Sequence, residues 1–216
     1  MSSDRHLQAA VIADLGWDPR VTAAHIGVTA HDGIVTLSGH VSSGSEKLAA
    51  ESIAERVRGC KGVADEITIE LAATAIRDDE AIAAAIRDRF EWDAAVPSRA
   101  IIPAVAKGWV TLTGDVNWHF QKAAAERDVR QLTGVTGLTN HVTIKPRVDV
   151  TDIAVAIRSA LHRSWFFDKD TVAVTAEGGK VTLAGTVPSL RDRNAAERAA
   201  WRAAGTVDVL NTITVV

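Results

Sequence analysis

A nine-residue pattern of the form G-x-V-T-L-x-G-x-V occurs three times in the chain and constrains its fold more than any other feature. The copies are GIVTLSGHV at 33–41, GWVTLTGDV at 108–116 and GKVTLAGTV at 179–187. Apolar and polar residues alternate in each copy, which is typical of a β-strand with one buried face. The second glycines of the copies lie 75 and 71 residues apart. This spacing divides the chain into three units of one fold.

The repeat continues downstream of these glycines, Gly39, Gly114 and Gly185, in one register. An Ala-Glu pair follows after 11 residues, a glycine after 20, and an aliphatic residue predicted to begin a short strand after 28. The positions are Ala50-Glu51, Ala125-Glu126 and Ala196-Glu197; Gly59, Gly134 and Gly205; and Ile67, Val142 and Ile213. The Ala-rich segments predict amphipathic helices that end on the glycine. We interpret all six glycines as structural, because the strand glycines lack the Lys and the helix start of a phosphate-binding loop.

A helix and a hairpin are predicted upstream of each repeated glycine. Apolar residues recur every four positions at Leu7, Val11 and Leu15, at Ile82, Ile86 and Phe90, and at Ile153, Ile157 and Leu161. Each set marks one face of a helix, and Thr151 or Asp152 is the predicted N-cap of the third. An alternating segment, clearest in TVAVTA at 171–176, then turns into the repeated strand as a hairpin.

Each unit therefore has the predicted order helix–strand–strand–helix–strand. The fold class is α+β, with three tandem units that are each a small three-stranded mixed sheet with two helices on one face. A helix joins the second strand to the third, so we expect this pair to be parallel with a right-handed crossover. The predicted domains are 1–75, 76–147 and 148–216. The linkers near 72–77 and 146–150 are short, so we expect the units to contact one another.

These residues resemble the BON domain, a family named for bacterial osmotically induced and nodulation proteins. The resemblance rests on the repeated pattern, the Ala-Glu helix, the glycine turn and a final strand of the type NxxT or DEIT. It spans essentially the whole chain and is clearest in LTGVTGLTNHVTI and AAGTVDVLNTITV. It implies an α-β-β-α-β fold and a role in binding phospholipid surfaces, or as an accessory module in envelope and stress proteins. The family motif contains no shared catalytic residue.

Charge and cysteine content exclude several classes of function. The net charge is −3, so we expect no nucleic-acid partner. The charge is −4 over residues 1–75, +1 over 76–147 and zero over 148–216, so the middle unit is the most basic. A single cysteine, Cys60, excludes an internal disulfide, and its alignment with Val135 and Thr206 predicts an inert, semi-buried thiol. Without a signal peptide or a spanning segment in the sequence, we expect a cytoplasmic protein, peripheral to the inner membrane where it meets lipid.

No catalytic, cofactor-binding or metal-binding motif stands out, so we expect neither an enzyme nor a cofactor. Three of the seven histidines, His25, His31 and His40, fall in the first hairpin region without the spacing of a metal site. The neighbouring pairs Glu126-Arg127 and Glu197-Arg198 are interpreted as charges on solvated helix faces.

The six tryptophans divide into a recurring and a singular group. Trp17, Trp92 and Trp165 each end the first helix of a unit, and we interpret them as caps on the unit's core. Trp201 stands among alanines on the last helix, where it is predicted to pack either on its own sheet or on a neighbouring unit.

The remaining tryptophans, with Phe120, are the candidate surface contacts. Trp109 aligns with Ile34 and Lys180, and the lysine predicts a face that is at least partly exposed. Trp118 and Phe120 lie where the second helix of the middle unit begins. This pair is suited to enter a lipid interface or to pack against a neighbouring unit.

The sequence thus favours a non-enzymatic interaction module that binds a phospholipid surface or a protein partner, in osmotic or general stress. The alternative is a soluble sensor of a small ligand or a monovalent cation. Association of some BON members with such cations supports this alternative, in which carbonyls at the hairpin ends would supply oxygen ligands.

Overall fold

The computed structural model describes residues 3–145, 152–163 and 172–216. The first unit consists of helix α1 (Ser3–Trp17), strands β1 (Ile26–His31) and β2 (Ile34–Val41), helix α2 (Gly44–Arg56) and strand β3 (Gly62–Ile69). Ser43 caps α2, because its side chain accepts a hydrogen bond from the amide of Glu46. The element order is the one the sequence predicts.

The second and third units repeat this order with a third strand in two short pieces. The second unit contains α3 (Asp79–Trp92), β4 (Ile101–Ala106), β5 (Trp109–Val116), α4 (His119–Arg130), β6 (Gly137–Asn140) and β7 (Thr143–Ile144). The third contains α5 (Ile153–Arg163), β8 (Val172–Glu177), β9 (Lys180–Val187), α6 (Leu190–Arg202), β10 (Asp208–Asn211) and β11 (Thr214–Val215). Of the two predicted N-caps of α5, Asp152 directly precedes the helix and Thr151 lies outside the described residues.

In each sheet the strand with the repeated pattern lies in the centre. It pairs antiparallel with the strand before it and parallel with the strand or strand pieces after it. The third strands begin at Gly62, Gly137 and Asp208, five residues earlier than predicted. The reason is that pairing with the central strand starts as soon as the chain leaves the glycine turn. The predicted end of this helix is wrong in the first unit. Helix α2 ends at Arg56, and Gly59 lies beyond that end rather than on it.

The two helices of each unit cover one face of its sheet, and each unit has its own apolar core. All nine residues of the predicted helical stripes are buried. They meet the inward residues of the central strands, such as Val35 and Leu37 in the first unit and Val110 and Leu112 in the second. No helix in the described part of the chain has the length and apolar content needed to traverse a bilayer.

The last helix, α6, joins the three units. Leu190 at its start is buried in the core of the first unit, and Trp201 near its end packs against the core of the second. Asn194 in its middle donates to the Glu55 carboxylate on α2, with 3.4 Å between the nitrogen and the oxygen. The expected contact between units is therefore present, and it is made through their second helices.

Candidate functional site

A groove between the second and third units is the site that brings the most binding chemistry together. It lies where α4 begins and α6 ends, and its volume is about 640 Å³. We call it the aromatic–arginine groove, and its lining consists of Trp118, His119, Phe120, Ala123, Ala124, Arg127, Arg198, Trp201 and Arg202. A volume of this size is in the range of small-molecule sites in proteins.

The start of α4 orients the aromatic side of the groove. The Gln121 side-chain oxygen accepts hydrogen bonds from the amides of Asn117 and Trp118, at 3.0 and 3.1 Å. This contact satisfies amides that a helix start leaves without a partner. It holds Trp118, His119 and Phe120 at the point where the chain enters the helix. The rings of Trp118 and Phe120 are 6.4 Å apart at a tilt of 30°.

His119 and Trp201 join the two sides of the groove by stacking. Their ring centroids are 4.0 Å apart and their planes differ by 17°. Burial, with a smaller contribution from the nearby Lys122 charge, lowers the pKa of His119. The imidazole is therefore neutral at pH 7 and stacks on the indole as an aromatic ring. Phe120 beside it remains 55% exposed.

Three guanidinium groups give the groove a positive rim. Arg127 contacts the Asp93 carboxylate at 3.0 Å. Arg198 and Arg202, which are both exposed, have no carboxylate partner among residues 3–145, 152–163 and 172–216. Two guanidinium groups beside an apolar surface are suited to bind the phosphate or carboxylate group of an amphiphilic ligand.

The structure separates Trp109 from the other two candidate surface residues. Trp109 opens β5 and is 50% exposed, whereas Trp118 follows the far end of this eight-residue strand. A strand of that length spans roughly 26 Å at about 3.3 Å per residue. Trp109 lies across Gly137, where a Cβ would come within 2.2 Å of its ring, and its Nε1 donates to Thr139 at 3.0 Å. The predicted partial exposure of this face is correct, but Trp109 does not line the groove.

The interpretation of the recurring tryptophans as core caps is wrong for both that the structure describes. Trp17 is 90% exposed and Trp92 is 88% exposed. Each lies two residues beyond the last buried residue of its helical stripe, which is about 200° around the helix axis. The ring therefore faces away from the core. Trp165 lies outside the described residues.

The prediction that Glu126-Arg127 and Glu197-Arg198 are charges on solvated helix faces is correct for the two arginines, which are exposed, but wrong for the two half-buried glutamates. Glu126 accepts hydrogen bonds from Arg130 and from the Asn140 amide, and Glu197 accepts one from the Asn211 amide. The exposed arginines line the groove. Sequence reasoning missed Arg198 and Arg202 as site residues, because no periodicity within one unit records which face meets a neighbouring unit.

Cys60 and the first-unit histidines show no reactive or metal-binding arrangement. The Cys60 thiol is buried and donates to the Gly62 carbonyl at 3.4 Å, and burial raises its pKa. The rings of His25 and His40 stack with centroids 4.7 Å apart, whereas the His31 side chain lies beside Asp32. Among the residues that the structure describes, no group of three or more potential ligands is arranged to hold a metal ion.

Comparison with known sequences accounts for the threefold architecture. A sequence model described as the BON domain matches residues 3–70, 78–146 and 149–216. The chain belongs to the BON domain family. Each matched segment of this BON protein contains one copy of the nine-residue pattern.

One curated relative and two solved structures are similar to this BON protein. Osmotically-inducible protein Y of Escherichia coli (strain K12) is 28% identical over 146 residues, which are 66% of this chain and 73% of that protein. The solved structures are of CdsD, a structural protein of the type III secretion system of Chlamydia trachomatis; one is of its C-terminal domain. Both are 18% identical with a TM-score of 0.27, and the alignments cover 97% and 98% of this chain and 97% and 92% of the other. A score this low carries no argument about the arrangement of the units.

Proposed function

We propose that this BON protein is a non-enzymatic, stress-related module that binds the surface of anionic phospholipid membranes through the aromatic–arginine groove. Similarity to a relative named as osmotically inducible supports the link with stress. The site of action would be the cytoplasmic face of the inner membrane. The observation that carries the proposal is the pair Arg198 and Arg202, which lie beside the half-exposed ring of Phe120.

The groove combines the two interactions that a membrane surface offers. Guanidinium groups form paired hydrogen bonds with phosphate oxygens, and each basic residue near an anionic surface contributes about 1 kcal/mol to binding. Trp and Phe side chains are favourable at the depth of the headgroups, where one part of the ring is in contact with hydrocarbon. Since the net charge of the chain is −3, attraction has to be local rather than general.

The experiment is a titration with vesicles, monitored by the intrinsic tryptophan fluorescence of the protein. Vesicles of phosphatidylglycerol and of phosphatidylcholine are compared at equal lipid concentration. We expect a blue shift and vesicle sedimentation with the anionic lipid. The double variant Arg198→Gln/Arg202→Gln should bind roughly 25-fold more weakly, from about 1 kcal/mol for each arginine.

A matched control uses two exposed arginines outside the groove. Arg58→Gln/Arg87→Gln removes the same charge from the first unit and from α3. It should bind anionic vesicles within about twofold of the wild-type protein, because screening limits distant surface charges. Equal losses in both double variants, or no binding to either vesicle, would reject the groove as a lipid site.

A further inference from the structure

The three units place a glutamate of their second helix opposite the same position of the third strand. The glutamates are Glu51, Glu126 and Glu197, and the strand residues opposite them are Asp65, Asn140 and Asn211. The strand residue has one role in all units, since its side-chain oxygen accepts the amide two residues further on. The oxygen–nitrogen distances are 3.0 Å in the first unit, 3.1 Å in the second and 3.2 Å in the third.

In the second and third units the residue opposite the glutamate is a hydrogen-bond donor. The Asn140 amide donates to Glu126 at 3.1 Å, and the Asn211 amide donates to Glu197 at 3.0 Å. An amide carries donor hydrogens at every pH, so a carboxylate accepts this bond without binding a proton. The two pairs therefore form this bond without a shared proton.

The first unit has Asp65 in place of the asparagine, and this side chain has no donor when it is ionised. A hydrogen bond between Glu51 and Asp65 therefore requires one of the two carboxyl groups to hold a proton. Lys47 favours the ionised form of Asp65, because its ammonium group lies 2.6 Å from an Asp65 oxygen. The same ammonium group also donates to the Ile67 carbonyl. Asp65 remains the ionised partner, and the proton resides on Glu51.

The charges that face Glu51 come from three elements. Lys47 lies on α2, Asp65 on β3 and Arg130 on α4 of the second unit. Arg130 is already bound to Glu126, with 2.9 Å between the nitrogen and the oxygen. Burial and the Asp65 carboxylate outweigh the two cations and raise the pKa of Glu51 to about 7.

We propose that Glu51 and Asp65 form a proton-sharing pair that makes the first unit respond to pH near neutrality, whereas the matched Glu–Asn pairs of the other units bond without a shared proton. The pair lies beside the second unit, since Arg130 of α4 faces Glu51 and a Cβ on Gly44 would come within 2.6 Å of the Arg130 carbonyl oxygen. Loss of the proton places two carboxylates side by side at this junction. The inference is independent of the lipid groove.

The sign of the effect follows from the raised pKa. The folded first unit holds the proton up to about pH 7, whereas an unfolded glutamate releases it near pH 4.3. The contribution of Glu51 to stability is therefore fully present below the unfolded pKa and is lost as the pH rises through the folded pKa.

The direct test is carbon NMR of the glutamate side-chain carboxyls in the full chain, with Glu51→Gln to assign the signal. We expect the Glu51 signal to titrate with an apparent midpoint near pH 7. In Asp65→Asn, which reproduces the pair of the other units, the midpoint should fall by about 1 pH unit or more, whereas burial, the largest cause of the raised pKa, remains. A Glu51 midpoint below about pH 5 in the wild-type protein would overturn the proposal.

A matched variant installs the pair where it is absent. Asn211→Asp should raise the Glu197 midpoint, since this change places a carboxylate opposite that glutamate. The vesicle titration tests the lipid proposal separately from this one, because Asp65→Asn changes no residue of the groove. An unmoved Glu197 midpoint in Asn211→Asp would show that facing carboxyls in this fold do not share a proton.

Discussion

Gly114 shows how a single missing Cβ fixes the geometry of a hairpin. Its φ is +127°, and a Cβ built there would lie 2.0 Å from the Ala100 carbonyl oxygen. Gly39 has the same geometry in the first unit, where the nearest atom would be the His25 carbonyl oxygen at 2.1 Å. The central strand therefore passes the start of its neighbour too closely for any side chain. This contact explains why the pattern contains a second glycine.

Replacing Gly114 by alanine should destabilise the protein by at least about 2 kcal/mol, because backbone strain and a backbone clash add. Urea unfolding followed by circular dichroism measures the loss. The control is Gly16→Ala in α1, where nothing lies within 4 Å of the added Cβ and helix propensity favours alanine. That variant should be no less stable than the wild-type protein. Equal losses at both positions would contradict the geometric explanation.

Helix α4 has a buried carboxylate at a position that is apolar in the matching helices. Asp128 is fully buried, whereas the matching position holds Ile53 in α2 and Ala199 in α6. One oxygen contacts Arg89 of α3 at 3.3 Å, and the other has no hydrogen-bond partner. Burial is the main cause that raises the pKa of Asp128. The contact ties the two helices of the second unit together at the expense of a desolvated charge.

Asp128→Asn should be at least as stable as the wild-type protein at pH 7. The amide keeps an oxygen for Arg89 and removes the buried charge. Because the folded pKa is raised, the carboxyl contributes stability at low pH and loses that contribution as the pH rises. The advantage of the variant should therefore grow from pH 4 to pH 7, by an amount on the order of 1 kcal/mol. Urea unfolding at both pH values checks this, and a decreasing advantage would contradict it.

Periodicity within one unit predicted most of the fold. The stripes in α1, α3 and α5, the hairpins and the parallel third strands all follow from patterns that record burial within a unit. The positions of Trp17 and Trp92 around the helix axis, away from the apolar stripe, also indicate that they are exposed. Their recurrence in each unit was instead interpreted as a sign of burial. The groove was not encoded in this way. Arg198 and Arg202 acquire their setting from α4, which belongs to another unit.

At the scale of the whole molecule, α6 couples the folding of all three units. Leu190 completes the core of the first unit, and Trp201 covers the core of the second. Both residues belong to the third unit, so separation of this unit would expose apolar surface on the other two. Cooperative unfolding of the chain should therefore depend on a few side chains of one helix.

Trp201→Ala tests this coupling against a tryptophan of the same size that makes no core contact. Removing the half-buried Trp201 ring should cost about 2 to 4 kcal/mol and separate the unfolding of the units, because packing and the His119 stack are both lost. Trp92→Ala should stay within about 0.5 kcal/mol, since its side chain is 88% exposed. Urea unfolding followed by far-ultraviolet circular dichroism measures both variants. A large loss in Trp92→Ala would restore the interpretation of the recurring tryptophans as core caps, whereas a small loss in Trp201→Ala would show that the units fold independently.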